Sequence, residues 1–92
     1  MVVDFFADWC GPCKRILPDL TKWAAEHKDV AFIKVNVDDL PAVQKMCDVE
    51  ALPTFHFYYS GRLIEQHVGG DFTGFLAAFR KAKSVVTSST KP

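Results

Sequence analysis

The feature that most constrains the fold of this chain is a pair of cysteines, Cys10 and Cys13, separated only by Gly11 and Pro12. An almost continuous apolar run, residues 2–7, precedes the pair and is typical of a strand that is covered on both faces. The segment that follows repeats its apolar residues at helical spacing, which indicates an amphipathic helix. The two cysteines are therefore predicted to lie at a strand-to-helix junction, where they can close a small disulfide ring and reopen it.

Of the two cysteines, Cys10 is predicted to be the more reactive. It lies where the first turn of a helix leaves backbone N–H groups unpaired and where the positive end of the helix dipole is found. Both features stabilise a thiolate, so the pKa of Cys10 is expected to be depressed. Cys13 lies one turn further on, and we expect it to be more enclosed. Pro12 fits the first turn, because its missing N–H would have no helical partner.

The alternative to a redox-active pair is one half of a structural zinc site. Zinc would need two further ligands, usually a second closely spaced pair. The chain offers only residues that are widely separated in the sequence, namely Cys47, His27, His56 and His67. A static structural disulfide is also disfavoured, because so small a ring removes little chain entropy. We expect no metal, and the sequence shows no cofactor-binding motif.

The composition of the chain limits the classes of partner that are expected. The 92 residues are enough for one domain with a core, and 49% of them are hydrophobic. Eleven basic residues balance eleven acidic ones, so the formal net charge is zero. A neutral chain argues against nucleic acid as a main partner. No apolar run approaches the ~20 residues of a membrane span, so no membrane partner is expected.

A cytoplasmic location is expected from two features. Asp4 interrupts the first apolar stretch, so a signal-peptide pattern is absent. The number of cysteines, three, is odd, and the unpaired Cys47 is easier to maintain in a reducing compartment. Because the chain starts almost inside a strand, a targeting segment removed from its front is compatible with the same sequence.

The pattern predicts the order strand, helix, strand, helix, strand, strand, helix. The first helix is expected from about residue 11 to 27, and residues 30–37 form a second strand, parallel to the first through a right-handed crossover. A short helix follows, and residues 54–59 and 62–68 form a hairpin. Asp71 caps the last helix. Residues 1–83 are assigned to one domain, and the Ser/Thr-rich residues 84–92 are predicted to form a disordered tail.

These residues resemble the thioredoxin family. Its signature Trp-Cys-Gly-Pro-Cys-Lys stands at residues 9–14, and the similarity extends from residue 2 to about residue 83. The resemblance implies the thioredoxin fold: an α/β fold with a mixed four-stranded sheet of order 2-1-3-4, strand 3 antiparallel, and helices on both faces. It also implies a thiol–disulfide oxidoreductase that reduces protein disulfides. In that reaction Cys10 attacks and forms a mixed disulfide with the substrate, and Cys13 then attacks Cys10 and releases the reduced substrate.

The resemblance implies partners as well. The Gly-Pro pair between the cysteines is similar to thioredoxins rather than to the isomerases, which favours reduction over oxidation. Expected partners are disulfide-containing protein substrates and a flavin- and NADPH-dependent thioredoxin reductase as electron donor; the chain itself is expected to carry no cofactor. The rival hypothesis is a thioredoxin-like binding or assembly module that holds partners without turnover. The intact Cys10 and Cys13 weigh against it.

In the family, a buried acid and a nearby lysine assist the second cysteine. Asp4 matches the acid, and desolvation in its apolar run is expected to raise its pKa. The alternative is that Asp4 points to a solvated edge. Lys34 matches the lysine, and its alternative is a side chain whose stem packs while its ammonium group reaches water.

The resemblance further implies a surface for docking substrates, formed by Trp9, Gly11, Pro12, Leu52, Pro53 and Gly69. The peptide bond before Pro53 is expected to be cis, which would turn the backbone of Leu52 towards the cysteines. An extended substrate segment could then pair with that backbone as an added strand. Cys47 shares a helix face with apolar neighbours and is predicted to be a core residue, with a regulatory thiol as the alternative.

A last expectation concerns self-association. The family usually has a further strand and helix at the front, which this sequence does not show ahead of residue 2. The strand at residues 30–37 is then expected at an edge of the sheet, with unpaired backbone groups and Lys34 as its one charge. Such an edge is a template for another strand, so a homo-oligomer through residues 30–37 is expected.

Overall fold

The computed structural model describes residues 1–89. The elements are β1 (Val2–Phe6), α1 (Gly11–Glu26), β2 (Phe32–Asn36), α2 (Pro41–Met46), β3 (Thr54–Tyr59), β4 (Arg62–Val68) and α3 (Phe72–Ser89). Their order confirms the predicted succession of strands and helices.

The strands form one four-stranded sheet of order β2-β1-β3-β4. β1 pairs in parallel with β2 and antiparallel with β3, and β4 pairs antiparallel with β3. This confirms the predicted α/β fold with sheet order 2-1-3-4 and an antiparallel strand 3. β2 is shorter than the predicted strand at residues 30–37, since the N–H of Val30 donates to the carbonyl of His27 (2.9 Å) in the preceding turn.

The central position of β1 explains its apolar sequence. Strands lie on both sides of it, and all of its residues except Phe6 are buried. Successive side chains of a strand point to opposite faces, so Val2 joins the hydrophobic cluster beneath α1 and α3, whereas Val3 and Phe5 join the cluster on the other face. By the same alternation, Asp4 faces the side of α1.

The helix α1 packs one face on the sheet through Ile16, Leu20 and Trp23, all of which are buried. Their spacing of three and four residues is that of one helical face, as predicted. Pro18 lies inside α1 on the exposed side. The orientation of α1 brings its first turn to the carboxyl end of β1, which is where the two cysteines lie.

The predicted tail is partly wrong. The helix α3 continues through Ser89, so residues 84–89 are helical rather than disordered, and residues 90–92 lie outside the described residues. The physical reason is that the apolar stripe of α3 continues past residue 83. Ala78 and Ala82 are buried and Val86 is half-buried, at the spacing of one helical face. Within residues 1–89, no helix has the length and apolar character needed to cross a membrane.

Phe75 offers a test of the core beneath α3. Its side chain is fully buried, and its ring contacts the rings of Trp23, Phe55 and Phe57. Phe75→Ala is expected to lower the free energy of unfolding by about 3–5 kcal/mol, because the ring leaves a cavity. Leu63→Ala, on a half-exposed side chain of β4, is expected to cost less than about 1 kcal/mol. Urea denaturation of both variants measures the difference, and similar losses would contradict this description of the core.

Candidate active site

The two cysteines form a disulfide at the first turn of α1. Cys10 is the N-cap of the helix, and the N–H of Cys13 donates to the sulfur of Cys10 at 3.2 Å. The Cα atoms of the pair are 5.3 Å apart. The N–H of Cys10 donates to the carbonyl of Ala7 (3.2 Å), which closes the turn between β1 and α1. The chain thus passes from a buried strand into a helix within a few residues, with Pro12 in the first turn.

The cysteines differ in what they face rather than in how buried they are. Cys10 is 4% exposed and Cys13 is 7% exposed, so the expectation that Cys13 is the more enclosed residue is wrong by this measure. Cys10 lines an open groove on the surface, whereas Cys13 lines a second, smaller cavity that also contains Asp4 and Lys34. The two cysteines therefore face different groups of the protein.

The groove beside Cys10 has a volume of about 400 Å³. It is lined by Trp9, Cys10, Gly11, Pro12, Val37, Asp38, Gln44, Glu50, Ala51 and Leu52. Four of the six predicted docking residues therefore lie together around the disulfide. The other two do not line this groove: Pro53 is buried and follows a cis peptide bond, as predicted, and the N–H of the half-exposed Gly69 donates to the carbonyl of Pro53 at 2.9 Å.

Sequence reasoning missed two contacts of this surface. The indole N–H of Trp9 donates to a carboxylate oxygen of Asp38 at 2.8 Å, although the Trp9 residue is 71% exposed. Asp38 follows β2, which runs parallel to β1, and the carboxyl ends of parallel strands meet at one edge of a sheet. That rule is the signal that could have found it. Gly70 packs on Pro12 so closely that a Cβ atom there would lie 2.8 Å from the Cβ of Pro12.

The cavity beside Cys13 gathers the predicted catalytic groups. It has a volume of about 130 Å³, and Asp4, Cys13 and Lys34 are among its lining residues. Asp4 is 3% exposed, and one of its carboxylate oxygens has no hydrogen-bond partner. Burial raises the pKa of Asp4 to about 6 by desolvation, while the charge of Lys34 acts in the opposite direction. Asp4 is thus buried, and the alternative of a solvated edge is wrong.

Lys34 lies near Asp4 and is at the same time exposed to water. It lies opposite Asp4 in the register of β1 and β2. Its side chain is exposed, and its ammonium nitrogen lies 4.5 Å from the centre of the Phe6 ring. No ion pair joins Lys34 to Asp4. Lys34 therefore acts on the Asp4 carboxyl through space while its own charge stays in contact with water.

The remaining zinc-ligand candidates lie in separate surroundings. His27 stacks on Trp23, and His67 lies 2.9 Å from a carboxylate oxygen of Asp71. His56 is buried in β3, where desolvation lowers its pKa. Cys47 is half-buried against the core cluster that contains the disulfide, in agreement with its reading as a core residue. Within residues 1–89, no three His, Cys, Asp or Glu side chains are grouped to hold a metal ion.

Comparison with known proteins identifies relatives of this chain. The sequence profile described as Thioredoxin matches residues 1–82. The chain is 45% identical over 73 residues to mitochondrial thioredoxin-3 of Saccharomyces cerevisiae, a match that covers 79% of the chain and 58% of that relative. It is 44% identical over 71 residues to thioredoxin-2 of the same yeast, covering 77% of the chain and 68% of the relative. The chain thus spans about three fifths of the first relative's length and two thirds of the second's.

Solved structures give the same result in three dimensions. The crystal structure of oxidised mitochondrial thioredoxin 3 from Saccharomyces cerevisiae has a TM-score of 0.81 and 42% identity, covering 86% of this chain and 74% of that one. A second structure concerns the thiol resolving mechanism in yeast mitochondrial 1-Cys peroxiredoxin via glutathione/thioredoxin systems. It has a TM-score of 0.82 and 40% identity, with the same coverage of 86% and 74%.

The buried Asp4 carboxyl provides a test of this geometry. Its pKa of about 6 in the folded state lies above its ordinary value of 3.8, so the unfolded chain ionises first. Stability is therefore lost as the pH rises from about 4 to about 6, and the loss stays constant above that range. At pH 7, Asp4→Asn is expected to raise the free energy of unfolding by up to about 3 kcal/mol, and at pH 3 by almost nothing.

Asp71→Asn is the matched control, because the side chain of Asp71 is mostly exposed, whereas Asp4 is buried. Desolvation is the largest single effect on the pKa of Asp71 and raises it, but hydrogen bonds from its own backbone N–H, from His67 and from the N–H of Gly74, together with the charge of His67, outweigh it and lower the pKa. Stability from Asp71 is thus present at neutral pH and lost as the pH falls through its folded pKa. Asp71→Asn is expected to destabilise the protein at pH 7. Urea denaturation at the two pH values measures both variants, and no gain for Asp4→Asn at pH 7 would contradict the raised pKa.

Proposed function

The chain belongs to the thioredoxin family, a family of thiol–disulfide oxidoreductases, and we propose that it reduces protein disulfides through Cys10 and Cys13. The observation that carries this proposal is the Cys10–Cys13 disulfide at the N-terminus of α1, with an open groove on one side and a buried carboxyl group on the other. The groove gives a partner access to Cys10, and the cavity brings a proton acceptor to Cys13. Access to Cys10 and a proton acceptor for Cys13 both favour turnover of the dithiol.

In the first step the reduced Cys10, as a thiolate, attacks one sulfur of the substrate disulfide. The substrate S–S bond breaks, its other sulfur leaves as a thiolate, and a mixed disulfide joins Cys10 to the substrate. The N–H of Cys13, which lies 3.2 Å from the sulfur of Cys10, supports this step because a hydrogen bond stabilises the thiolate. The dipole of α1 acts in the same direction.

In the second step Cys13 resolves the mixed disulfide. Asp4 accepts the proton of the Cys13 thiol, directly or through a water molecule for which the cavity has room. The Cys13 thiolate attacks the sulfur of Cys10, the bond between Cys10 and the substrate breaks, and the substrate leaves with both sulfurs reduced. A pKa of about 6 suits Asp4 to exchange protons near neutral pH, and Lys34 keeps that pKa from rising further.

The docking surface is assigned to Trp9, Gly11, Pro12, Leu52, Pro53 and Gly69. Support comes from the groove, which holds four of these residues beside Cys10. We propose that disulfide-containing proteins bind there in extended form and that a thioredoxin reductase restores the dithiol. The yeast structure that concerns a 1-Cys peroxiredoxin supports oxidised protein thiols as the substrate class. A cytoplasmic location is also proposed, on the sequence features given above, although the name of one relative places that relative in mitochondria.

The separate roles of the cysteines can be tested with insulin and a dithiol donor. Cys10→Ser is expected to abolish insulin reduction, because no nucleophile remains in the groove. Cys13→Ser, reduced and then freed of the dithiol, is expected to attack once and to stall as a covalent mixed disulfide that mass spectrometry detects. Release of reduced product by Cys13→Ser at the normal rate would contradict the assigned roles. Binding of insulin without turnover by the unsubstituted protein would instead favour a binding module.

Self-association through β2 is a separate proposal. β2 is an edge of the sheet formed by residues 1–89, and Ile33 on it is 43% exposed. Unpaired backbone groups at such an edge can pair with a strand of a second copy. Lys34→Pro is expected to shift a dimer to the monomer, because the N–H of Lys34 lies on the free side of β2 and proline removes that donor from the edge. Sedimentation equilibrium at several concentrations measures this, with Lys34→Thr as the matched control; a monomer at high concentration without either substitution would refute the proposal.

A further inference from the structure

The groove beside Cys10 differs in charge from the chain as a whole. The chain contains eleven basic and eleven acidic residues. The residues that line the groove include two carboxylates, Asp38 and Glu50, and neither lysine nor arginine. Both carboxylates belong to exposed residues and face whatever enters the groove. A neutral protein thus presents a locally negative surface at the point where Cys10 is reached.

An exposed aromatic face lies beside these carboxylates. The Trp9 residue is 71% exposed, and its indole N–H is held by Asp38 at 2.8 Å. This hydrogen bond fixes the ring and places a negative charge at its edge. The face of an indole attracts lysine and arginine side chains, and a nearby carboxylate adds to that attraction. The ring and the two carboxylates thus all favour lysine and arginine side chains.

We propose that this groove selects disulfide-bearing segments that carry lysine or arginine next to the attacked cysteine. This inference rests on the proposed function and names its substrate class. The cationic side chain lies between Trp9, Asp38 and Glu50 while Cys10 attacks the neighbouring sulfur. One cation lies close to the groove without lining it, because the guanidinium group of Arg15 is beside Gly11 at the start of α1.

The test uses three disulfide-bonded peptides that differ only in the residues flanking the attacked cysteine, which are lysine, glutamine or glutamate. The protein is reduced with dithiothreitol, freed of it, and mixed with each peptide in single-turnover experiments at low salt. Each rate constant is divided by that of the same peptide with 2-mercaptoethanol, which removes differences in the intrinsic reactivity of the peptides. The lysine peptide is expected to react about tenfold faster than the glutamate peptide. At 1 M salt, where the screening length is about 3 Å, the ratio is expected to fall towards about twofold.

The double variant Asp38→Asn/Glu50→Gln removes both charges while asparagine can still accept the indole hydrogen bond. Its ratio of lysine to glutamate peptide is expected to fall below about twofold. Glu26→Gln/Asp29→Asn is the control of equal charge change, because Glu26 ends α1, about 22 Å along the helix axis from its first turn, and Asp29 is an exposed residue of the turn that follows. The ratio should remain unchanged in that control.

The outcomes separate this inference from the function on which it rests. A ratio near one, with the glutamine peptide reduced normally, would overturn the inference and leave the proposed function intact. An unchanged ratio in the double variant would also overturn it, because the preference would then come from elsewhere. If none of the three peptides reacts with the reduced protein, the proposed function itself fails.

Discussion

The rest of the site depends on one local constraint, the need of a helix N-terminus for hydrogen-bond acceptors. The first turn of α1 has backbone N–H groups without helical partners, and the sulfur of Cys10 accepts one of them, that of Cys13. A sulfur in this place serves as the cap of the helix and as the group that gains most from the helix dipole. Capping of α1 and the reactivity of Cys10 thus have the same physical origin, because both depend on the unpaired N–H groups of the first helical turn.

The position of this N-terminus follows from the sheet. β1 is covered on both faces and bonded on both sides, so its end is held firmly, and the turn into α1 is short. The end of β2 lies at the same edge and supplies Asp38, and the approach to β3 supplies Leu52. The groove therefore consists of chain ends from several elements around one rigid strand. Loops that are far apart in the sequence are therefore held close together by the ends of the strands.

Asp4 is the point at which stability and chemistry oppose each other. A buried carboxyl with an unpartnered oxygen destabilises the folded state when it ionises. The same desolvation raises its pKa to about 6, into the range in which a carboxyl group exchanges protons readily near neutral pH. The loss of stability is therefore coupled to the raised pKa that the proposed proton transfer requires. Lys34 moderates this cost from the surface, since its charge favours the ionised carboxyl while its own ammonium group remains hydrated.

The sequence by itself determined the elements of the fold and the chemistry at Cys10 and Cys13, because apolar spacing and a cysteine pair at a helix start are local signals. It favoured a buried Asp4 mainly through the resemblance to the family and left a solvated edge open, and the structure decided for burial. The tertiary structure decided the contact of Trp9 with Asp38, the approach of Gly70 to Pro12, the helical course of residues 84–89 and the equal burial of the two cysteines. These features depend on contacts between residues that are distant in the chain, and local patterns of the sequence do not indicate such contacts.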